Sequence, residues 1–177
     1  MSIDPHTAYI SIGSNVGDKV KNIQDILLAM ESSGEMVLKG ASGLYRTEPV
    51  EFTDQDWFVN AVVRIETPLA PGELLERLNR LERDAGRVRG KIRFGPRIID
   101  LDIIFYDDLV METAVLTLPH PRMHKRCFVL KPLCDIGSTV IHPVLKACVK
   151  ELLARVSEPG QRVLPLYPGA DGGVFLR

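Results

Sequence analysis

Several features that mark particular classes of protein are scarce in this chain of 177 residues. It has three cysteines, Cys127, Cys134 and Cys148, and they form no CxxC pair. We therefore expect buried, reduced thiols rather than a disulfide or zinc framework. No apolar run approaches the roughly 20 residues of a transmembrane helix. The N-terminus lacks the charged and then apolar build of a signal peptide, so the expectation is a cytoplasmic protein with no membrane contact.

A strong excess of either charge is also missing. The formal net charge is −1, which argues against a protein whose main role is to coat nucleic acid, so any basic site must be local. The composition, 45% hydrophobic and 25% charged, is ordinary for a globular protein with a substantial core. We expect a monomer with one domain over residues 1–156. Residues 157–177, rich in proline and glycine, are expected to form an appended C-terminal tail without a predictable element.

Hydrophobic periodicity predicts an α+β fold. Apolar residues recur at helical spacing in 20–32 and 71–86, whereas β-branched runs indicate strands at 8–12, 36–47, 58–67 and 98–106. The order strand, helix, strand, strand, helix, strand is that of a ferredoxin-like βαββαβ core. It predicts an antiparallel sheet with both helices on one face, which leaves the other face for a ligand or further elements. A short element at 126–133 and an extra C-terminal helix at 144–156 are expected to follow.

Two carboxylates interrupt an otherwise apolar strand in GPRIIDLDIIFYDD, residues 95–108. Side chains two apart on a strand share a face, so Asp100 and Asp102 should lie together, where their charges repel. One interpretation is a strand end whose polar residues meet solvent. The other is a shared site for Mg²⁺, which carboxylate oxygens bind and substrate phosphates complete.

The preceding stretch, 86–97, is basic and has no acid. Either it is a solvated loop, or it holds phosphate oxygens beside the aspartates through the bidentate geometry of arginine. We favour the phosphate interpretation for its cations, which are Arg87, Arg89, Lys91, Arg93 and Arg97.

Other motifs are weaker. GSNVGDK, residues 13–19, is not a Walker A motif and is typical of a turn before a capped helix. Phe58 and Asn60 share a strand face, for which core packing is the usual reason; a stacking surface beside a hydrogen-bonding amide is the alternative. His120, His124 and Cys127 make a poor zinc site, because Pro121 disturbs the helix that an HxxxH pair needs. Contact of His120 and Arg126 with phosphate is the simpler interpretation.

Taken together, these stretches resemble one family, the 6-hydroxymethyl-7,8-dihydropterin pyrophosphokinases of folate biosynthesis. The resemblance covers about the first 150 residues and rests on AYISIGSN, YRTEP, DWFVNAVV, LERDAGRVR, RFGPRIIDLDIIFY and LPHPRMHKRCFVLKPL. It implies a transferase, an ATP-dependent diphosphokinase, that moves the β,γ-diphosphate of ATP to the pterin hydroxymethyl group and releases AMP. Its partners would be these two small molecules.

The resemblance also implies site residues. Asp100 and Asp102 would ligate two Mg²⁺ ions, and with Arg87 and Arg97 they would form the catalytic set. The ATP-binding residues would be Asn79, Glu82, Arg87, Arg89, Arg93, Arg97, His120 and Arg126. Those that bind the pterin would be Thr47, Pro49, Val50, Phe58, Asn60, Asp100 and Phe128, with the two phenylalanines sandwiching the ring. No side chain stands out as a general base, and Asp102 is our candidate for assisting the hydroxyl.

The sequence differs from the family pattern at two points, and two other classes of protein share part of the predicted fold. The family commonly has glycine near Glu51 and proline before the aromatic of DWF. Because this sequence differs at both points, the resemblance does not predict the conformation of the 47–56 loop. Nucleotidyl-transferring palm domains also place metal-binding acids on a ferredoxin-like sheet, but they need a further carboxylate on an adjacent strand. RNA-recognition motifs share the strand order, yet they need exposed aromatics and a basic face.

Overall fold

The computed structural model describes residues 4–86, 95–156 and 160–166. Its longest strands are those with the densest β-branched and apolar sequence. The strands are β1 (His6–Ser14), β2 (Val37–Ala41), β3 (Tyr45–Thr47), β4 (Phe58–Thr67), β5 (Asp100–Tyr106), β6 (Met111–Glu112), β7 (Thr117–Leu118) and β8 (Val163–Pro165).

Four α-helices and one short 3₁₀ helix lie in the described part of the chain: α1 (Lys19–Ser32), α2 (Pro71–Asp84), the 3₁₀ helix Met123–Lys125, α3 (Cys127–Gly137) and α4 (Val149–Arg155). The Asp18 carboxylate caps α1 by accepting a hydrogen bond from the backbone N–H of Lys21, 3.0 Å away. Pro71 occupies the first turn of α2, where its missing N–H costs nothing. The predicted stripe of α1 is confirmed, since Ile23, Ile26, Leu27 and Met30 are buried.

The main sheet is antiparallel, and β1 lies between β5 and β4. The strand order is β5-β1-β4-β3-β8, and β2 also pairs with β4. β1 runs beside β4 along its whole length, with Gly13 opposite Asn60. On its other side it pairs with β5, where Ser11 lies opposite Asp102 and Gly13 opposite Asp100. This arrangement brings the first residues of β5 next to the last residues of β1.

Helices cover both faces of the sheet, although unequally. On the first face, β1 residues such as Ile10 and Ile12 pack with the buried residues of α1 and α2, as predicted for the two core helices. On the second face, Tyr9, Val62 and Ile104 pack with residues of α3 and α4. The helices of the second face leave one end of the sheet open, and the polar residues of β1, β4 and β5 lie there.

A bulge separates the two halves of β5. The register with β1 shifts between Tyr9 and Ile10, so that Phe105 pairs with Tyr9 and Ile103 pairs with Ile10. An extra residue on one strand reverses the alternation of side chains beyond it. Ile104 and Phe105 consequently both belong to the second core, whereas Ile103 belongs to the first.

Several predicted boundaries were wrong. The strand predicted over 36–47 is two strands, with Ser42 between them accepting a hydrogen bond from the backbone N–H of Val62. The short element predicted at 126–133 is α3, which continues to Gly137. The helix predicted over 144–156 starts only at Val149, because Lys146 has a positive φ of 51° and Ile141 forms a bridge with Cys148. β8 was not predicted, because three residues ending in proline show no period.

The three cysteines are free, as predicted, but half-buried rather than buried. No helix within the described ranges is long and apolar enough to cross a membrane.

Candidate active site

A cavity of about 250 Å³ opens at the uncovered end of the second sheet face. Three neighbouring strands supply its floor, because side chains two apart share a face: Ser11 and Gly13 on β1, Phe58 and Asn60 on β4, and Asp100 and Asp102 on β5. One wall is formed by the chain from the end of β3 to Phe58, at the edge of the floor, and the other by the start of α3. The predicted site residues that line it are Thr47, Pro49, Val50, Phe58, Asn60, Arg97, Asp100, Asp102, His120, Arg126 and Phe128.

The two aspartates of β5 face the same cavity, as the strand period predicted. Arg97 Nη1 lies 2.8 Å from Asp100 Oδ2, so one carboxylate is partly neutralised by a cation from its own chain segment. Burial raises the pKa of Asp102 to about 7, with a further contribution from the negative charge of Asp100, while Arg126 and Arg97 act in the opposite direction. The ionised pair is therefore costly until more positive charge enters the cavity.

Cationic and neutral donors line the side of the cavity nearest α3. Arg122 Nη1 is 2.7 Å and Arg126 Nη2 is 3.5 Å from Glu51 Oε1, so one carboxylate contacts both guanidinium groups. Burial lowers the pKa of His120 to about 4, assisted by the charges of Arg126 and Arg122. His120 is thus neutral near pH 7. Its Nδ1 accepts a hydrogen bond from the backbone N–H of Arg122 at 3.2 Å, which puts its own proton on Nε2 as a donor.

The floor of the cavity is closely packed around Asn60. This side chain is buried, and its Nδ2 donates to Thr47 Oγ1 at 2.5 Å. A Cβ added at Gly13 would lie 2.6 Å from Asn60 Oδ1. Only glycine therefore fits opposite Asn60 without displacing it. Phe58 lies beside this pair, and Phe128 lines the cavity from the first turn of α3 with the Arg126 guanidinium 5.4 Å from its ring centroid.

Asn15, which sequence reasoning placed in an unremarkable turn, connects two segments of the site. Its buried side chain donates from Nδ2 to Gln55 Oε1 at 2.9 Å and to the carbonyl of Asp56 at 3.1 Å. Its Oδ1 accepts from the backbone N–H of Arg97 at 2.9 Å. The sequence did not indicate this role, because the burial and the partners of Asn15 depend on distant segments of the chain.

Some predicted residues lie elsewhere. Asn79 and Glu82 are on α2 and do not line the cavity. Glu82 is buried, and its Oε1 accepts from the backbone N–H of Leu101 at 2.7 Å, between the two aspartates. Arg87, Arg89 and Arg93 lie outside the described residues. The remaining lining residues were not predicted as site residues: Ser11, Gly13, Glu48, Glu51, Gln55 and Arg122.

A second cavity of about 290 Å³ adjoins the first, and Asp102 and His120 line both. Its other lining residues are mainly apolar and come from α2, β5 and the chain between β6 and β7, namely Leu75, Leu101, Ile103, Thr113, Ala114, Val115, Leu116, Thr117 and Pro121. One polar cavity and one apolar cavity therefore meet at an aspartate and a neutral histidine.

The donor set at the junction suits a cation that substrate oxygens help to hold. Within residues 4–86, 95–156 and 160–166, no cluster of three or more histidine, cysteine, aspartate or glutamate side chains could hold a metal ion by itself. Asp100 and Asp102 supply only carboxylate oxygens, which Mg²⁺ prefers, and Mg²⁺ commonly takes its other ligands from water and phosphate. Zinc at His120, His124 and Cys127 has no support in this geometry.

Comparisons with known proteins agree with this arrangement. A family model described as 7,8-dihydro-6-hydroxymethylpterin-pyrophosphokinase (HPPK) matches residues 9–138. The chain is 41% identical over 133 residues to the 2-amino-4-hydroxy-6-hydroxymethyldihydropteridine pyrophosphokinase of Bacillus subtilis, covering 75% of this chain and 79% of that protein. The Haemophilus influenzae protein of the same name is also 41% identical, with 77% and 85% covered.

Longer proteins match as well. The chain is 47% identical over 167 residues to the folic acid synthesis protein fol1 of Pneumocystis carinii, which covers 94% of this chain but 22% of that protein. It thus spans between a fifth and a quarter of several such relatives. Among solved structures, Plasmodium falciparum HPPK-DHPS matches with a TM-score of 0.67 at 14% identity, covering 87% of this chain and 45% of that one. This likeness establishes an α+β fold with an antiparallel sheet.

Proposed function

The chain belongs to the 7,8-dihydro-6-hydroxymethylpterin-pyrophosphokinase family, and we propose that it transfers the β,γ-diphosphate of ATP to 6-hydroxymethyl-7,8-dihydropterin and releases AMP, in folate biosynthesis. One observation supports this most strongly. The first cavity is polar and has aromatic walls, and the second cavity is apolar. Paired carboxylates, arginines and a neutral histidine lie where the two cavities meet. Such a junction suits a polyphosphate between two flat ring systems.

We assign the pterin to the first cavity. Phe58 and Phe128 offer ring faces from two different elements, which suits a flat heterocycle between them. Asn60 and Thr47, joined by a hydrogen bond, hold a fixed pattern of donors and acceptors for the edge of the ring. The backbone at Pro49 and Val50 completes that edge. The cavity volume of about 250 Å³ is close to the lower end of ordinary ligand pockets.

We assign the adenine base of ATP to the second cavity, whose lining is mostly aliphatic. The triphosphate would then pass the junction at Asp102 and His120. The His120 Nε2–H, Arg126 and Arg97 are the phosphate donors at this junction. Glu82 acts indirectly, since it fixes the backbone of Leu101 between the aspartates. Roles for Asn79, Arg87, Arg89 and Arg93 in ATP binding, and for Arg87 in catalysis, remain our predictions.

Asp100 and Asp102 would hold Mg²⁺, two ions in our proposal, which neutralise phosphate charge when bound. The raised pKa of Asp102 supports this, because a nearby cation would relieve the cost of its ionisation. Asp100 also lies where it reaches the pterin side of the cavity. No other carboxylate faces this site from the adjacent β1 within the described residues, whereas a nucleotidyl-transferring palm domain would need one.

The reaction itself requires alignment more than covalent help from the protein. The hydroxymethyl oxygen attacks the β-phosphorus, the bond from that phosphorus to the α,β-bridging oxygen breaks, and AMP leaves with this oxygen. The hydroxyl proton is released beside Asp102. Arg126, Arg97 and His120 hold the diphosphate and stabilise the charge that develops on it. The aromatic walls keep water from competing with the hydroxyl group.

We interpret β1-α1-β2/β3-β4-α2-β5 as a ferredoxin-like core, supported by the position of β1 between β4 and β5. Residues 1–156 would form one pyrophosphokinase domain, with α4 as an addition after the core and 157–177 as a tail. A monomer in the cytoplasm remains our expectation, although one similar protein from pea is named as mitochondrial.

Calorimetric titration tests the proposed assignment of the two cavities. The titrants are the hydroxymethyl dihydropterin and the Mg²⁺ complex of an ATP analogue with a methylene group between the α- and β-phosphorus. We expect Phe58→Ala to weaken pterin binding about tenfold, the value of one aromatic stacking contact, and to leave analogue binding unchanged. Phe52→Ala is the matched control, because Phe52 lies on the loop that precedes Phe58 and does not line the cavity. Absence of pterin binding to the analogue-bound wild type would refute the assignment.

A further inference from the structure

Residues 160–166 contact both walls of the first cavity, although they lie beyond the part of the chain that matches the family model. We propose that this segment, the C-terminal clasp, is a positioning element that holds the two aromatic walls of the pterin cavity at the correct separation. The inference rests on the proposed function, because it concerns the same cavity.

The clasp is bound first to the wall formed by β3 and the chain after it. β8 pairs antiparallel with β3, with Val163 opposite Thr47. The backbone N–H of Glu48 donates to the carbonyl of Arg162 at 2.9 Å. Thr47 and Glu48 both line the cavity. The edge of this wall is thus fixed by a strand from the end of the chain.

Arg162 adds side-chain contacts to the same wall. Its Nε and Nη2 lie 3.4 and 3.3 Å from the two carboxylate oxygens of Glu48, whose Oε2 also accepts from the Arg162 backbone N–H at 3.2 Å. The Arg162 guanidinium lies 4.8 Å from the ring centroid of Trp57, and that of Arg46 lies at the same distance. Two cations therefore hold an indole ring directly before Phe58.

Gln161 connects the clasp to the other wall. Its Oε1 accepts from the backbone N–H of Cys127 at 2.9 Å, and its Nε2 donates to the carbonyl of Lys125 at 3.0 Å. Cys127 is the first residue of α3, and the Arg126 side chain provides no cap there. The Gln161 amide therefore accepts from the first N–H of α3, between the cavity residues Arg126 and Phe128.

Adjacent residues of one short segment thus fix Phe58 on one wall and Phe128 on the other. A flat ligand is held well only if its two stacking partners keep their separation, because attraction falls steeply with a gap of 0.5–1 Å. The second cavity has no lining residue from the clasp or from its partners. Loss of the clasp should consequently weaken pterin binding more than nucleotide binding, because both aromatic walls depend on it whereas Arg126 is the one proposed phosphate donor beside its contacts.

Two measurements on full-length variants test the clasp. The variants are Gln161→Ala, Arg162→Ala and their combination, with Arg155→Ala as the matched control, since Arg155 is an exposed arginine on α4 away from the cavity. Trp57 is the only tryptophan, so quenching of its fluorescence by acrylamide reports the position of the first wall with no ligand present. Calorimetry then gives the dissociation constants of the pterin and of the Mg²⁺ complex of the ATP analogue.

We expect the double variant to show greater quenching of Trp57 and a pterin dissociation constant raised about tenfold, which corresponds to about 1.4 kcal/mol. Nucleotide affinity should fall much less than pterin affinity, Arg155→Ala should match the wild type, and Arg162→Lys should recover part of the loss. Unchanged quenching and pterin affinity in the double variant would overturn the proposal. So would equal weakening of pterin and nucleotide, which indicates a general structural role. If the wild type binds no pterin, the proposed function fails, and unchanged Trp57 quenching would separately refute the clasp.

Discussion

The carboxylate of Glu51 lies 2.7 Å from the guanidinium of Arg122 and 3.5 Å from that of Arg126, at a backbone φ of 65°. A positive φ is unfavourable for a residue with a Cβ. Glycine has no Cβ and carries no such penalty. An acidic side chain therefore contacts two arginines beside the proposed phosphate path.

Replacement of Glu51 separates the effect of its negative charge from the effect of its positive φ. Glu51→Gln removes the negative charge and keeps the unfavourable φ, whereas Glu51→Gly removes both. Because both variants release the arginines, we expect each to bind the ATP analogue roughly fivefold more tightly, about 1 kcal/mol. Glu51→Gly should be about 1 kcal/mol more stable than Glu51→Gln in urea unfolding. If both variants bound the nucleotide with wild-type affinity, Glu51 would not compete with the phosphates for the two arginines.

Gly13→Ala tests the close approach at the cavity floor. The new Cβ would lie 2.6 Å from Asn60 Oδ1, so Asn60 must move and its bond to Thr47 is lost. We expect about 1–3 kcal/mol of destabilisation and at least a tenfold loss of pterin affinity by calorimetry. Gly40→Ala is the control, because its nearest neighbours are 3.9 and 4.0 Å away and φ is ordinary. Equal pterin affinity in Gly13→Ala and the wild type would show that Asn60 does not read the ligand.

Asp102→Asn should stabilise the protein without metal while abolishing transfer. The folded pKa of about 7 is above the ordinary value of 3.8, so ionisation of Asp102 favours the unfolded chain. The penalty is absent below about pH 4, grows between the two pKa values and is complete above about pH 7. We expect a gain of roughly 2–4 kcal/mol at pH 8 that disappears near pH 3, measured by chemical unfolding. Asp54→Asn, at an exposed site, is the control substitution. If Asp102→Asn were instead less stable than the wild type at pH 8, the two aspartates would have a structural role.

Glu82 provides a test of indirect positioning. Its Oε1 accepts from Leu101 N–H in the interior of the protein. Glu82→Gln keeps an acceptor there, whereas Glu82→Ala leaves a buried N–H without its partner, at a cost of about 1–3 kcal/mol. We expect Glu82→Ala to lose stability and turnover, and Glu82→Gln to recover most of both. An unimpaired Glu82→Ala would show that the aspartates do not depend on this bond.

The sequence predicted most of the site because the site follows strand periodicity. Asp100 and Asp102 had to share a face, as did Phe58 and Asn60, and all four line one cavity. The wider grouping with His120, Arg126 and Phe128 came from the family resemblance. No local pattern could predict contacts between distant segments, such as Asn15 with Arg97 and Gln55 or Gln161 with α3. The same limit applies to β8, whose strand geometry depends on pairing with β3 rather than on its own three residues.

The most direct test of the proposed function identifies the nucleotide product. The wild-type protein is mixed with Mg²⁺, ATP and 6-hydroxymethyl-7,8-dihydropterin, and the nucleotides are separated. We predict AMP in an amount equal to that of the pterin diphosphate, and no AMP when the pterin is omitted. Formation of ADP, or of AMP with free diphosphate regardless of the pterin, would contradict transfer of the β,γ-diphosphate.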